Sequence, residues 1–304
     1  MVVEPEDEPL MPRVSVVIPA YNAEAFLARA LRSVVEQTFD DYEIVLVDDG
    51  STDGTAEIAQ SFKEIRYFHQ PNRRLPATRN RGMREAKGEL IAFLDADDEW
   101  LPEKLEHQLA FMGERGSQIS FTDTWVSSKG KRVGRYSELV SPCDGDILLP
   151  LLRQSFITVN TVMARKELLE RVGGFDESAP FRSHEDYDLW LRLALEGTRF
   201  DYLDEPLAVY HRGFSSMSSD RISMHKRYLE VLEHFDSTYA LPPEARCQVS
   251  STLNRTNAAL GRMLLQQGRL REAAPHLRRV APDSMRHRLL RASGRVLSLF
   301  FRSK

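Results

Sequence analysis

The chain has 304 residues, of which 42% are hydrophobic and 28% are charged, as is ordinary for a soluble globular protein. This length is enough for one large or two modest domains with a buried core. No apolar run approaches the ~18 residues that a membrane-spanning helix needs. The two cysteines, Cys143 and Cys247, form no CxxC motif and have no neighbouring histidine pattern. They indicate a reducing compartment and give no sign of a zinc site.

The net charge of −4 is unevenly distributed along the chain. Residues 262–304 contain eleven arginines and lysines against two acids, whereas the remaining 261 residues contain 30 basic and 43 acidic residues. Such a basic C-terminal segment on an otherwise acidic chain is informative about which partners the protein binds, and it says nothing about the fold. Residues 1–12 are acidic and proline-rich, unlike a signal peptide, and we expect them to be a disordered lead-in.

The first half of the sequence alternates strand and helix patterns. Continuous apolar, β-branched runs predict buried strands at residues 14–22, 43–50 and 89–98, with a shorter strand at 65–70. Apolar residues at helical spacing predict helices at 23–37, 51–62, 76–88 and 101–112. Strands and helices that alternate with short links predict an α/β fold, with a mostly parallel, Rossmann-like sheet flanked by helices.

The second half is less regular. We predict a strand at 119–128 with a hairpin turn at Lys129-Gly130, an amphipathic helix at 183–197, and a broken extended segment at 199–212. From about residue 220 onward the pattern is helical throughout, and residues 258–284 resemble a single tetratricopeptide-type helical hairpin.

Polar motifs lie at the carboxyl ends of three of the predicted strands: PAYN at 19–22, DDGSTDGT at 48–55 and DADD at 95–98. Because right-handed crossovers bring the carboxyl ends of parallel strands to one edge of the sheet, we expect these motifs to form one ligand site. Taken alone, the Asp48-Asp49-Gly50-Ser51 stretch has a second interpretation, a turn with a helix cap.

The DADD stretch places three carboxylates in four positions. Like charges ~5 Å apart cost energy unless a cation or hydrogen-bond donors neutralise them, and hard divalent ions prefer oxygen ligands. In an extended chain Asp95 and Asp97 project to the same face, which predicts that they bind Mg²⁺ or Mn²⁺ together with a substrate diphosphate. Asp98 would point away and cap the helix near Pro102. The alternative is a solvated acidic loop.

Five motifs together resemble the motif series of glycosyltransferase family 2 in order and spacing, over residues 13–218. They are PAYN, DDGSTDGT, TRNRGMREAKGELIAFLDADD (78–98), GGFDE (173–177) and HEDYDLWLRL (184–193). The resemblance implies a GT-A fold and an inverting transfer of sugar from a nucleotide-sugar donor, with UDP as the expected nucleotide. The domains would then be the lead-in (1–12), the GT-A domain (13–218) and an all-helical C-terminal region (219–304).

The resemblance also implies roles for individual residues. Pro19, Ala20, Tyr21 and Asn22 would line the nucleoside pocket, and Asp49 would bind the uracil edge. Asp95-Ala96-Asp97 matches the DxD motif, with Asp97 as metal ligand and Asp95 near the ribose or the metal. Asp186 matches the catalytic base, next to Glu185 in the substrate site, although the acids there also suit a helix start. Arg79 and Asn80 fall in the stretch that flanks the donor diphosphate.

One departure from the family pattern concerns the segment after the base helix. Many members read Tyr-Arg-x-His followed by Met-Ser, whereas here His211-Arg212-Gly213 stands between Tyr210 and Met217-Ser218. A metal or phosphate role for His211 or Arg212 therefore stays open, with a structural role as the alternative. We expect Trp125 and residues 156–162 to border the acceptor pocket, with apolar packing as the alternative for most of them.

Residues 284–304 mix arginines with leucines and phenylalanines. A basic amphipathic helix of this kind can lie in the surface of an anionic membrane, and the alternative is a helix packed on its own domain. Nucleic-acid binding is not expected, because aromatic residues placed for base stacking are missing. We expect a cytoplasmic protein, with the tail at the inner face of the membrane if the first interpretation holds.

The expected partners are a nucleotide-sugar donor and a glycan or lipid-linked acceptor, in the synthesis of a surface polysaccharide or glycolipid. A non-catalytic sugar-nucleotide-binding or scaffolding protein is one alternative function. A sugar-phosphate nucleotidyltransferase is another, against which the sequence PAYNAEAF counts, since it offers no glycine-rich basic loop after the first strand.

Overall fold

The computed structural model of the protein describes residues 11–128, 130–179, 184–212 and 221–281, together with residue 292. The chain divides into two compact units. The sheet unit consists of the chain up to Ile147 with Phe156–Glu177 and Arg192–His211, and the helical unit consists of Leu148–Ser155, Ser178–Leu191 and the chain from Arg212 onward. The predicted domain boundary is residue 218. Two segments that precede it, Leu148–Ser155 and Ser178–Leu191, belong to the same compact unit as the C-terminal helices.

Nine strands of the described chain form one sheet. They are β1 (Val14–Ala20), β2 (Tyr42–Asp48), β3 (Ile65–His69), β4 (Leu90–Phe93), β5 (Glu99–Trp100), β6 (Ile119–Ser128), β7 (Lys131–Arg135), β8 (Val162–Arg165) and β9 (Asp201–Arg212). Their order across the sheet is β3-β2-β1-β4-β8-β6-β9-β5, with β7 paired to β6.

The parallel part of the sheet comes from the first half of the chain. β1 pairs in parallel with β2 and β4, and β2 pairs in parallel with β3. The strands of the second half enter in antiparallel pairs: β8 with β4 and β6, β7 with β6, and β9 with β5. The predicted α/β fold class is therefore confirmed.

The helices are α1 (Leu27–Val35), α2 (Thr55–Gln60), α3 (Arg74–Glu85), α4 (Lys104–Arg115), α5 (Leu148–Arg153), α6 (Lys166–Arg171), α7 (Glu185–Leu195), α8 (Arg221–Thr238), α9 (Pro243–Gln266) and α10 (Leu270–Arg279). Every residue of β1 is buried, as the continuous apolar run predicts for a strand covered on both faces. Leu27, Leu31 and Val34 of α1 belong to the same buried cluster as Val16 and Ile18 of β1.

β9 differs from its prediction. The sequence pattern over 199–212 predicts a broken extended segment, but the chain forms one strand of 12 residues, Asp201–Arg212. Pro206 interrupts the pattern without interrupting the strand. Leu207, Ala208 and Val209 are buried beside it, and we attribute the strand's continuity to that burial, since tertiary packing overrides local strand propensity.

The predicted helical hairpin is present as α9 and α10. Gly268 has a φ of +70°, the left-handed conformation that commonly ends a helix. A Cβ atom on Gly261 would lie 2.4 Å from Cδ2 of Leu277, so only glycine lets the two helices approach this closely. Leu260, Leu264 and Leu277 are buried in the cluster that joins this pair to α8.

None of the described helices combines the length and hydrophobicity that a membrane crossing requires. Several predictions fall on residues that the structure does not describe. These are the lead-in up to residue 10, Lys129 of the hairpin turn, Met217-Ser218, and the basic tail from 284 to 304 apart from Ala292.

Candidate active site

The DADD stretch forms a tight turn directly after β4. The backbone N–H of Asp98 donates to the carbonyl of Asp95 at 3.0 Å, which closes a four-residue turn. The turn gathers the three carboxyl groups, since Asp95, Asp97 and Asp98 each place an oxygen within 4.8 Å of the others. The predicted extended conformation is therefore wrong, and the Asp98 carboxylate lies with the other two instead of pointing away.

Asp98 is structural, as predicted, but it does not cap a helix. Its side chain is buried, and it accepts hydrogen bonds from Asn160 Nδ2 at 2.7 Å and from the backbone N–H of His211 at 2.9 Å. α4 begins later, at Lys104, without a side-chain cap. Asp98 thus ties the turn to two distant parts of the sheet unit, β9 and the segment before β8.

Arginines compensate part of the negative charge at this turn. Arg79 is almost fully buried and its Nη2 lies 2.6 Å from Asp95 Oδ1. Arg29 donates to the carbonyl oxygen of Asp97, so it approaches the backbone of that residue. Burial, reinforced by the charge of Asp95, raises the pKa of Asp97 to about 6. Burial also raises the pKa of Asp98 well above its usual range.

These residues fit a divalent cation. Three carboxylates converge, and hard oxygen ligands are what Mg²⁺ and Mn²⁺ prefer. Both oxygens of Asp98 already accept hydrogen bonds, whereas Asp95 and Asp97 are partly exposed. Asp95 and Asp97 are therefore the residues of this turn that have oxygens to offer an ion.

The DDGS turn holds its two aspartates differently. Asp48 accepts from the backbone N–H of Ser51 at 2.9 Å and from the Tyr67 hydroxyl at 2.7 Å, so it stabilises the turn itself. Asp49 uses Oδ1 to accept from Gln70 Nε2 at 2.7 Å and from the backbone N–H of Arg73 at 2.9 Å. Oδ2 of Asp49 has no hydrogen-bond partner in the described part of the chain.

The PAYN loop is joined to the DDGS turn by reciprocal hydrogen bonds. Asn22 adopts a φ of +48°; its backbone N–H donates to Ser51 Oγ at 3.0 Å and its Oδ1 accepts from the backbone N–H of Thr52 at 2.8 Å. Pro19 and Ala20 end β1 in register with β2. Tyr21 is 54% exposed, so its ring is available to a ligand.

Asn80 is bound to the loop that follows the GG pair. Its Nδ2 donates to the carbonyl of Phe175 at 2.8 Å, and its Oδ1 accepts from the Phe175 N–H at 2.9 Å. A Cβ atom on Gly174 would lie 2.6 Å from Asn80 Oδ1, which explains the glycine. The amide of Asn80 therefore holds the GGFDE loop on α3, and its predicted place beside the diphosphate stays a prediction.

The HEDYD motif opens α7, in the helical unit. Asp186 is partly exposed and its Oδ1 accepts from the backbone N–H of Tyr187 at 2.8 Å. Glu185 is buried. Tyr187 donates its hydroxyl to the carbonyl of Leu151 at 2.8 Å, and its ring stacks on Tyr228 with centroids 5.3 Å apart. The start of α7 is thus fixed by its neighbours within that unit.

His211 faces a carboxylate at the end of β9. Its Nε2 lies 2.8 Å from Glu99 Oε1, and Glu99 is also 3.9 Å from Arg29 Nε. Burial lowers the pKa of His211 despite that carboxylate. The imidazole is therefore paired with Glu99 in this structure, which favours the structural role over the open metal or phosphate role.

The residues predicted to border the acceptor pocket are mostly packed inside. Phe156, Ile157, Val159 and Val162 are buried, which agrees with the apolar alternative. Trp125 is partly buried, with the Arg132 guanidinium 5.6 Å from its ring centroid.

Sequence reasoning missed the residues that hold the motif loops in place. Asn160 lies inside a stretch read as apolar, Gln70 follows β3, and Arg29 lies on α1. A buried asparagine in an apolar run is one signal that was present, because such a group needs a buried partner. Nothing in the sequence spacing of Gln70 or Arg29 indicated that these residues would hold the motif loops in place.

Comparison with known proteins gives a family match and full-length relatives. The family model described as Glycosyl transferase family 2 matches residues 15–173. The Bacillus subtilis glycosyltransferase TuaG, named for teichuronic acid biosynthesis, is 30% identical over 254 residues, 80% of this chain and 98% of its own length. The Escherichia coli UDP-Glc:alpha-D-GlcNAc-diphosphoundecaprenol beta-1,3-glucosyltransferase WfaP is 31% identical over 73% of this chain and 86% of its own. A longer Rickettsia felis glycosyltransferase is 38% identical over 60% of this chain, which spans 30% of that relative.

Two solved structures share the fold. S. aureus TarS 1–349 in complex with UDP-GlcNAc superposes with a TM-score of 0.71 at 21% identity, covering 95% of this chain and 91% of that one. The Pyrobaculum calidifontis mannosyltransferase PcManGT, in complex with GDP-Man and Mn²⁺, has a TM-score of 0.64 at 20% identity, covering 97% and 84%. The predicted GT-A fold is confirmed. With the family model matching more than half of the chain, the protein belongs to glycosyltransferase family 2.

Proposed function

We propose that this glycosyltransferase moves a sugar from a UDP-sugar donor to a hydroxyl group of a surface glycan or lipid-linked acceptor, with inversion and with a divalent cation. The observation that carries the proposal is the turn at Asp95–Asp98, where three carboxyl groups converge after a parallel strand. The relatives support the setting, since TuaG is named for teichuronic acid synthesis and WfaP for a UDP-Glc donor and a diphosphoundecaprenol acceptor.

The nucleoside would bind between the PAYN loop and the DDGS turn. Asp49 supports this, because Oδ1 is held by two donors while Oδ2 has no partner among the described residues. A carboxylate oxygen can accept the imide N–H of uracil. We assign Pro19, Ala20, Tyr21 and Asn22 to the walls of that pocket, and the exposure of Tyr21 is consistent with a ring that covers a nucleoside.

The donor diphosphate and its cation would bind at the DADD turn. Asp97 and Asp95 would hold Mn²⁺ or Mg²⁺, and such an ion stabilises the negative charge that grows on a nucleoside diphosphate leaving group. Arg79 is held against Asp95 at 2.6 Å, which fixes the position of that carboxylate. Ala96 is buried inside the turn, so its part in the site is through the backbone.

Asp186 would act as the general base. Its carboxylate would take the proton of the acceptor hydroxyl while that oxygen attacks the anomeric carbon from the face opposite the leaving group, which gives inversion. The assignment depends on its place in the HEDYD motif. The hydrogen bond from the Tyr187 N–H restrains Oδ1 and so orients the carboxylate. Glu185, buried beside it, would support the substrate site.

The catalytic domain would extend over residues 13–218, with the helical region 219–304 as an extension. We place the protein in the cytoplasm, where nucleotide sugars are made. Contact of residues 284–304 with the membrane surface stays part of the proposal, and liposome co-sedimentation of the chain with and without those residues tests it. Equal recovery in the soluble fraction would overturn that contact.

The function is tested by a screen of sugar nucleotides for hydrolysis and transfer in the presence of Mn²⁺. We expect one UDP-sugar to be turned over by the wild type, and Asp186→Asn to slow transfer by at least about 100-fold because the base is lost. Asp204→Asn, which changes an exposed carboxylate on β9, is the matched control. Transfer by Asp186→Asn at the wild-type rate would refute the base, and binding of donors without any turnover would indicate a non-catalytic protein.

A further inference from the structure

The helical unit contains a basic pocket. It is an open cleft with a volume of about 420 Å³, within the roughly 300–1,000 Å³ of small-ligand clefts and cavities. Its polar lining consists of Arg153 of α5, His225 of α8, and Thr252, Arg255, Thr256 and Arg262 of α9. No carboxylate among the described residues lines it.

The three arginines of the basic pocket differ from other cations of the same unit. Lys226 pairs with Glu272 at 2.8 Å and Arg279 pairs with Glu233 at 2.8 Å. Arg153, Arg255 and Arg262 form no salt bridge with any described residue. The pocket therefore carries a surplus of positive charge that the described part of the fold does not neutralise.

One of these arginines is held in place by neutral groups. Arg255 Nη2 donates to the carbonyl of Arg153 at 3.0 Å and lies 3.3 Å from Thr252 Oγ1. Thr252 is almost fully buried, and its hydroxyl also accepts from Gln248 Nε2 at 3.0 Å. The guanidinium is thus oriented without losing its charge, and its remaining N–H groups are available for an anion.

His225 adds a further polar group to the basic pocket. Its Nδ1 lies 2.7 Å from the carbonyl of Arg221. Since a carbonyl can only accept, Nδ1 carries the proton, and in the neutral ring Nε2 is an acceptor that could take a hydrogen bond only from a protonated phosphoryl oxygen.

The basic pocket lies close to the start of α7. Both contact α5: Arg255 Nη2 donates to the carbonyl of Arg153 at 3.0 Å, and the Tyr187 hydroxyl donates to the carbonyl of Leu151, two residues earlier, at 2.8 Å. Tyr187 is the residue after the proposed base Asp186. All of these residues belong to the helical unit.

We propose that the basic pocket binds the phosphoryl group of an acidic acceptor, a phosphate or diphosphate carried by the molecule that receives the sugar. Arginine binds phosphate oxygens in a bidentate manner, and several guanidinium groups that form no salt bridge with a described residue suit a diphosphate. Binding of the anion is independent of the function proposed above, whereas its assignment to the acceptor rests on that function.

The first experiment measures pyrophosphate binding to the full chain by calorimetry in EDTA, which keeps divalent ions from the Asp95–Asp98 turn. We expect Arg255→Gln with Arg262→Gln to weaken binding by at least about tenfold, because two charged donors are lost. Arg246→Gln is the matched control, since Arg246 is an exposed residue of α9 outside the pocket, 4.0 Å from Asp236. Equal affinities of the wild type and the double variant would overturn the pocket, and circular dichroism of both confirms that they fold.

The second experiment identifies the source of the phosphoryl group. With a donor that the wild type uses, the double variant should raise the KM for a sugar diphosphate acceptor at least about tenfold more than the KM for the same sugar without phosphate. An equal change in both would overturn the acceptor assignment. So would loss of binding to both pyrophosphate and phosphatidylglycerol vesicles with no change in either KM, since the anion would then be a membrane headgroup.

The two proposals fail in different ways. Absence of donor turnover with pyrophosphate binding still lost in the double variant would refute the proposed function and leave the anion pocket. Normal turnover with unchanged pyrophosphate binding would refute only the pocket.

Discussion

The two compact units collect opposite charges by different means. In the sheet unit, the turn at Asp95–Asp98 gathers carboxyl groups and offsets them with Arg79, Arg29 and the groups bound to Asp98. In the helical unit, the basic pocket orients Arg255 with a carbonyl and a hydroxyl and leaves it without a carboxylate. Each unit therefore keeps a charge that a ligand of the opposite sign would neutralise, and the difference can be tested residue by residue.

The largest effect on activity is expected from substitution of Asp97, the proposed metal ligand in the turn at Asp95–Asp98. Asp97→Asn removes a charged oxygen ligand, and we expect it to lower transfer by at least about 100-fold and to weaken Mn²⁺ binding in parallel. Titration calorimetry with Mn²⁺ and initial rates measure both. Asp40→Asn, at an exposed position before β2, should change neither. Undiminished Mn²⁺ affinity in Asp97→Asn would remove this residue from the metal site.

The next effect concerns the anchor of the same turn. Asp98→Ala leaves the buried donors Asn160 Nδ2 and the His211 N–H without their acceptor, and we expect the free energy of unfolding to fall by about 2–4 kcal/mol. Asp98→Asn keeps one acceptor oxygen and should cost about half as much. Urea denaturation distinguishes them. If Asp98→Ala were as stable as the wild type, the turn would be anchored by other contacts.

A smaller effect is expected in the packing of the helical unit. A Cβ atom on Gly261 would lie 2.4 Å from Leu277 Cδ2, so Gly261→Ala should lower stability by about 1–2 kcal/mol even though alanine favours a helix. Gly113→Ala is the control, because a Cβ atom there meets nothing within 4 Å and should add about 0.5–1 kcal/mol. Stabilisation by both substitutions would mean that α9 and α10 can move apart at no cost.

The smallest effect concerns a buried cation of the sheet unit. Lys104 is fully buried, its Nζ has no hydrogen-bond partner among the residues that the structure describes, and it lies 3.9 Å from the Trp100 ring centroid. Burial lowers its pKa well below the usual 10.5, although the contact with the ring offsets part of that cost. We expect Lys104→Met to raise the free energy of unfolding by about 1 kcal/mol near neutral pH.

The difference in the free energy of unfolding between Lys104→Met and the wild type should depend on pH. Between the lowered pKa of folded Lys104 and its ordinary value, the unfolded chain binds a proton that the folded chain does not. The stability of the wild type therefore rises with pH over this range relative to Lys104→Met, and denaturation at about pH 7 and about pH 9 should show the difference shrinking. Lys63→Met, at an exposed lysine, is the matched control. A constant difference between Lys104→Met and the wild type would mean that Lys104 stays charged when folded.

The sequence by itself determined the parallel part of the sheet and the position of its loops. β1 and β4 are runs of apolar residues that can only be buried on both faces, and the glycine and aspartate signals after β2 can only be a turn. Parallel strands then bring their carboxyl ends to one edge. The fold class followed from these local rules and the family from the resemblance of its five motifs, and both are confirmed.

Only the tertiary structure decided how the site residues are held. The turn at Asp95–Asp98 replaces the extended chain because the Asp98 carboxylate is captured by Asn160 and His211, which lie 62 and 113 residues away in the sequence. Tertiary packing also decides the environment of Arg255. Where α5 packs on α9, the guanidinium meets the neutral carbonyl of Arg153 and no described carboxylate. A periodic pattern reports which face of a segment is buried, but it does not report which distant polar group will meet it there.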